Sequence, residues 1–114
     1  MPRIILVRHG QTEWSLNGRH TGTSDIPLTA EGEQLIRELA PKVVGAGKPL
    51  HASKIQHAYI SPRKRAQRTF ELLFEGHQAP PHTTDEGVRE WDYGDYEGKT
   101  SKEIKQERGS AWDI

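Results

Sequence analysis

Three clusters in this chain combine side chains that can do chemistry. The first is Arg8-His9-Gly10. A histidine held rigidly at the end of an element keeps one ring nitrogen available for a proton or an electrophile. Arg8 presents a planar fork of donors suited to phosphate or carboxylate. Gly10 lets the backbone turn and admits a ligand closely. Gln11, Thr12 and Asn17 add neutral hydrogen-bonding groups just downstream. A polar strand end is the plainer reading of the same residues.

The second cluster is Ser61-Pro62-Arg63-Lys64-Arg65-Ala66-Gln67-Arg68-Thr69. Cations at the start of a helix oppose its dipole, so Arg63 and Arg65 do not serve helix stability there. An anion between them removes the conflict, because helix N-termini attract anions. A solvated basic face is the alternative. The third cluster is Arg89-Glu90-Trp91-Asp92-Tyr93-Gly94-Asp95-Tyr96-Glu97-Gly98. A carboxyl desolvated by an aromatic neighbour has a raised pKa and is prepared as a proton donor, which makes Glu90 beside Trp91 a candidate acid. A polar loop with aromatic anchors is again the alternative. His20 falls in a glycine-rich loop; lining the mouth of a substrate site is one reading of it, and a plain loop residue is the other. His51, His57, His77 and His82 show no ligand spacing and read as surface or loop residues.

These clusters need elements to hold them. Ile4-Ile5-Leu6-Val7 is a continuous apolar run, which predicts a strand buried on both faces as in a parallel sheet. That places His9 outside the carboxyl end of a strand, where ligands bind in open α/β sheets. A loop over residues 11–28 follows. Thr29 is the expected N-cap of a helix, with Leu35, Ile36, Leu39 and Val43 on its buried face. Pro41 is expected to kink or restart that helix. Residues 55–60 read as a second buried strand. Ser61 then caps a helix with Pro62 at its first position, and Ala66, Phe70, Leu73 and Phe74 form its core stripe. A short third strand is expected over residues 82–84 and a loop over 86–98. Thr100-Ser101-Lys102-Glu103 fits a capping box opening a polar helix, with Ile104 as its core contact. Trp112-Asp113-Ile114 suggests no terminal element. Strand, helix, strand, helix in alternation predicts one α/β domain.

Composition narrows the function classes. Sixteen basic residues balance 16 acidic ones, which argues against a general nucleic-acid or acidic-membrane binder. No apolar run approaches the roughly 20 residues of a membrane span. Zero cysteines exclude disulfides and thiolate metal sites. The expected setting is a soluble intracellular domain, cytoplasmic with the nucleus as an alternative.

Taken together and in order, the clusters are far more specific than any one. Val7-Arg8-His9-Gly10-Gln11-Thr12-Glu13-Trp14, Thr21-Gly22-Thr23-Ser24-Asp25-Ile26-Pro27-Leu28-Thr29, Ser61-Pro62-Arg63-Lys64-Arg65-Ala66 and the Arg89 to Gly98 segment resemble the histidine phosphatase superfamily, the phosphoglycerate mutase-like group. The Ser-Pro-Arg-x-Arg-Ala and Arg-Glu-Trp-x-Tyr-Gly-Asp-Tyr-Glu-Gly forms favour the branch of fungal sedoheptulose-1,7-bisphosphatases over the mutases. The resemblance implies a three-layer α/β fold with a mostly parallel sheet. It implies a metal-independent phosphomonoesterase acting on sugar phosphates, without a cofactor. His9 would be the nucleophile that becomes phosphohistidine. Arg8 and Arg65 match the family's phosphate-binding arginines, and Asn17 and Thr23 match positions near the phosphoryl group. Glu90 matches the proton donor to the leaving oxygen. Arg63 belongs to the branch motif and would touch a distal phosphate. Gln11 replaces a glutamate found in many members and counts among the phosphate-binding residues.

One departure stands out. The resemblance implies a second histidine, in a later His-Gly pair beside the nucleophile, and no such pair occurs: His77 precedes Gln78 and His20 precedes Thr21. The 114 residues are therefore expected to correspond to the first half of the family domain, with its C-terminal part missing, and to show weak or no activity alone. Losing one preorganised charge-stabilising group costs on the order of a hundredfold to a thousandfold in rate. Phosphoglycerate mutase-type transfer and a non-catalytic phospho-ligand or partner-binding module are the competing functions. The expected partner is a phosphorylated sugar, with self-association open and neither nucleic acid nor membrane involved.

Overall fold

Helices begin where the chain offers a partner for their first amides, and this fixes most of the architecture. A computed structural model describes residues 3–109. Its elements are α1 (Glu13–Leu16), α2 (Ala30–Val43), β1 (Ala58–Ile60), α3 (Lys64–Leu73), β2 (His82–Thr84) and α4 (Ser101–Arg108). The Gly32 amide donates to Thr29 Oγ1 at 2.9 Å, so Thr29 caps α2 as expected. Thr100 and Glu103 form the expected capping box of α4. A further box between Thr12 and Ser15 opens α1, inside the segment read as loop. Single 3-10 turns at Glu86–Val88 and Gly94–Tyr96 likewise punctuate the loop expected over residues 86–98.

The start of α3 differs from expectation. Ser61 is not its cap and Pro62 is not its first residue. The helix begins at Lys64, with Arg63 at the N-cap. The Lys64 amide donates instead to Asp25 Oδ1 at 2.7 Å, across 39 positions of sequence. A charged acceptor makes a stronger bond than a hydroxyl and suits the positive end of the helix. The neighbouring hydroxyl, Ser61 Oγ, accepts only a long 3.4 Å bond from Arg63 N.

Strands β1 and β2 pair in parallel, Ala58 opposite His82 and Ile60 opposite Thr84, with α3 as the crossover. Helix α3 packs against both β1 and α2. The main core lies between these helices and the segments leading to β1: Leu28, Ile36, Ala40, Val44, Leu50, Leu72, Leu73 and Phe74. On α2 the buried stripe is Gly32, Ile36 and Ala40, while Leu35 and Leu39 are exposed, contrary to expectation. The helix runs through Pro41 to Val43 without interruption. Pro41 lacks the N–H that would bond the Arg37 carbonyl, so the last turn closes with one backbone bond fewer. On α3, Leu73 and Phe74 are buried as expected, but Arg65 and Thr69 take the stripe assigned to Ala66 and Phe70, which are only half-buried. β1 is shorter than the run over residues 55–60, and only Ile60 within it is buried.

The largest correction concerns Ile4 to Val7. The segment belongs to no strand, and Ile4 and Leu6 are 87% and 91% exposed. A strand requires a neighbour that takes up its amides and carbonyls. Here β1 and β2 pair with each other, and neither reaches Ile4 to Val7. The terminal Trp112 to Ile114 lies outside the described residues.

Candidate active site

The site forms where the chain leaves the first apolar run and meets α3. The Gly10 amide donates to Thr69 Oγ1 at 3.0 Å, and the Thr69 hydroxyl donates to the Arg65 carbonyl at 2.7 Å. The peptide after His9 is thus pinned to the first turns of α3. Gly10 has no space for a side chain: a Cβ there would collide with Ile36 and press on Leu28. His9 Nδ1 lies 2.7 Å from the Gly10 carbonyl oxygen. A carbonyl only accepts, so Nδ1 carries the proton and the neutral ring keeps its lone pair on Nε2.

Burial holds the His9 pKa below its ordinary value. The Gly10 carbonyl pulls it upward, the Arg65 and Arg8 charges push it further down, and the Glu90 charge opposes them. The net effect favours neutral imidazole, the form that has a lone pair to offer.

Arg65 is 4% exposed, an unusual place for a guanidinium. Its Nη1 donates to the Ser24 carbonyl at 2.7 Å and its Nη2 to the Gly22 carbonyl at 2.8 Å. These bonds use two of the guanidinium's five donors. The amides of the same two residues face the other way. Gly22 N donates to both Glu97 carboxylate oxygens at 3.0 Å, and Ser24 N donates to Glu97 Oε2 at 2.9 Å. Burial pushes the Glu97 pKa up, but bonds from the Ser24 side chain and from the Ser24, Gly22 and Tyr93 backbone outweigh it and hold the carboxyl below its ordinary range. Thr23 sits half-buried between the two gripped residues. Arg63 Nε is buried with no hydrogen-bond partner among the described residues.

The remaining candidates are placed unevenly. Arg8 is exposed beside His9. Glu90 is also exposed, and its Oε1 accepts from the Trp91 amide at 3.0 Å. Trp91 is 72% exposed, so the expected desolvation of Glu90 by its ring is not seen. The indole turns along the surface, with Nε1 3.3 Å from the Tyr93 hydroxyl. Gln11 Oε1 accepts from Thr29 Oγ1 at 2.8 Å, which ties it to the start of α2. Asn17 is the exposed C-cap of α1, and no hydrogen bond links its side chain to His9 among the described residues. His20 is held by the Lys99 carbonyl at 2.7 Å and stacks edge-on to Tyr93.

Sequence reasoning quoted Thr69, Gly22 and Glu97 without giving them roles. For Thr69 a signal existed: it lies one helical turn after Arg65, so two polar residues share a face that must pack. For Glu97 none did, because its partners stand 73 and 75 positions away.

Residues 4–114 match the family model described as histidine phosphatase superfamily (branch 1). The chain is 40% identical to sedoheptulose 1,7-bisphosphatase of Saccharomyces cerevisiae, over 96% of this chain and 42% of that protein. It is 36% identical to a 2,3-bisphosphoglycerate-dependent phosphoglycerate mutase of a Caulobacter species, over 96% and 45% respectively. Among solved structures, the alpha-ribazole phosphatase from Shigella flexneri superposes with a TM-score of 0.69 at 25% identity, covering 91% of this chain and 48% of that one. The chain spans about half the length of the curated relatives it matches. With the family model matched over nearly all of its residues and the fold shared with solved members, the chain belongs to the histidine phosphatase superfamily.

Proposed function

We propose that this chain carries the phosphate-accepting half-site of a sugar-phosphate phosphatase that works through phosphohistidine on His9. One observation carries the reading: the His9 ring has its Nδ1 tied to the Gly10 carbonyl, which leaves the lone pair on Nε2, and Thr69 pins the peptide after it to the turn of α3 that carries the buried Arg65. Phosphoryl transfer asks chiefly for positioning and for neutralisation of the equatorial oxygens. Nε2 attacks phosphorus in line, and the P–O bond to the sugar breaks with its electrons leaving on oxygen. Arg8 and the unused donors of Arg65 hold the phosphoryl oxygens. Glu90 protonates the departing oxygen, then takes a proton from the water that cleaves the phosphohistidine. The orphaned Arg63 Nε adds support, since a buried donor without a partner is costly and an anionic oxygen satisfies it.

Sedoheptulose 1,7-bisphosphate is the proposed substrate, on the strength of the 40% identity to the yeast enzyme of that name. The 114 residues alone are proposed to turn over weakly, because they contain no second His-Gly pair. The chain incubated with sedoheptulose 1,7-bisphosphate should gain an acid-labile, chelator-insensitive phosphate that His9→Ala lacks. Equal labelling of His9→Ala refutes the reading. Stimulation by 2,3-bisphosphoglycerate would instead favour the mutase activity named for the Caulobacter relative.

A further inference from the structure

The loop from Gly22 to Ser24 is gripped from both sides. Its carbonyls at Gly22 and Ser24 accept from Arg65, and its amides at the same two residues donate to Glu97. Gly22 fits this slot only as glycine, because a Cβ would collide with the Trp91 carbonyl and crowd Glu97 and Tyr93. Thr23 is therefore presented by a carboxylate on one face of the chain and a guanidinium on the other.

We propose that Glu97 is a positioning residue: by holding the Gly22 and Ser24 amides it sets the orientation of Thr23 and of Arg65 toward the phosphate. The proposal rests on the phosphate-binding reading above. Both carboxylate oxygens are used, Oε1 by Gly22 and Oε2 by Gly22 and Ser24. A glutamine keeps one acceptor oxygen and sets an NH2 donor where the second oxygen faced the Gly22 amide, so the grip on that amide weakens. Arg65 then loses the rigid carbonyl pair that aims its remaining donors. Misplacement of a gripping group by a fraction of an ångström to 1 Å lowers efficiency by up to about a hundredfold.

The sign of the effect separates positioning from simple electrostatics. Glu97 is one of the negative charges acting on Arg65. Removing a negative charge near an anion site, with no change in geometry, tightens anion binding. Positioning predicts the reverse. A contribution to stability alone lowers the melting temperature and leaves affinity well below that temperature untouched.

The test uses the whole chain, tungstate as the probe, and amide hydrogen exchange followed by NMR. In wild type, the Gly22 and Ser24 amides should be protected. Glu97→Gln should speed exchange at one or both and weaken tungstate binding about tenfold, and Glu97→Asp should recover part of each. Unchanged or tighter tungstate binding in folded Glu97→Gln overturns the proposal. Should Glu97→Gln fail to fold, Glu97→Asp and the wild-type exchange decide: unprotected Gly22 and Ser24 amides overturn it, and protected amides with weakened binding in Glu97→Asp sustain it. A wild type that keeps both amides protected yet binds no tungstate refutes the phosphate reading and leaves the grip without an anion to position.

Discussion

Replacing Thr69 by valine should loosen the whole site from its helix. Thr69 is 6% exposed, and its hydroxyl bridges the Gly10 amide and the Arg65 carbonyl. Valine keeps the shape and removes the bridge. The Arg65 carbonyl loses little, because the i→i−4 pattern of α3 supplies it with the Thr69 amide. The Gly10 amide loses its partner in a place where Ile36 and Leu28 crowd the backbone. A buried donor left unsatisfied costs about 1–3 kcal/mol. With a urea m-value of about 1–3 kcal/mol/M for a small domain, the midpoint should fall by about 1 M. Thr69→Ser keeps the hydroxyl and removes one methyl, worth about 0.8 kcal/mol, so its midpoint should fall by clearly less. The second readout is local. Once the peptide after His9 is unpinned, the Gly10 carbonyl no longer holds Nδ1–H, and nitrogen shifts of His9 should move toward a tautomer mixture in Thr69→Val but not in Thr69→Ser. Equal midpoints for the two variants, with an unchanged His9 tautomer in the valine variant, would show that the bridge carries neither stability nor orientation.

Other perturbations give sharp outcomes. Because the folded pKa of His9 is lowered, the unfolded chain binds more protons between the folded value and the ordinary one. Its stability contribution is complete above the ordinary value and is lost as pH falls through the folded one. His9→Gln should flatten the rise of the urea midpoint with pH in that window, and identical slopes would contradict the assignment. Burial is the leading cause of that shift, so Arg8→Met should leave the His9 pKa still below the ordinary value in an NMR titration; full return would make the arginine charge dominant instead. Gly22→Ala should destabilise more than Gly10→Ala in denaturant titrations. The first meets the Trp91 backbone carbonyl, which cannot yield, and the second meets the end of the Ile36 side chain, where overpacking costs about 1–3 kcal/mol. Ile104 is fully buried, so Ile104→Ala should cost about 2–5 kcal/mol. It should also speed proteolysis around residues 98–100, where Gly98 N donates to the His20 carbonyl and His20 N to that of Lys99.

What could be read from the chain depended on how far each interaction reaches along it. The caps at Thr29 and Thr100 were legible because each hydroxyl and the amide it accepts from are three positions apart. The start of α3 was misplaced because its partner, Asp25, lies in another segment, and no local rule connects residues 25 and 64. Periodicity identified α2 as amphipathic, yet which of its apolar residues are covered depends on what packs there; Ile36 and Ala40 are buried, and Leu35 and Leu39 are not. Ile4 to Val7 makes the point most strongly: an apolar run states a preference for burial, and only neighbouring strands can satisfy it. The site divides in the same way. His9, Arg8, Arg65 and Glu90 stood out as candidates, since their side chains announce what they can bind or transfer. Thr69 and Glu97 were not, because each acts on backbone amides that are anonymous in a sequence. Any residue whose task is to hold a peptide group of another loop is hidden in this way until the loop's neighbours are known, so the positioning residues of such sites must be sought among buried polar side chains with distant backbone partners.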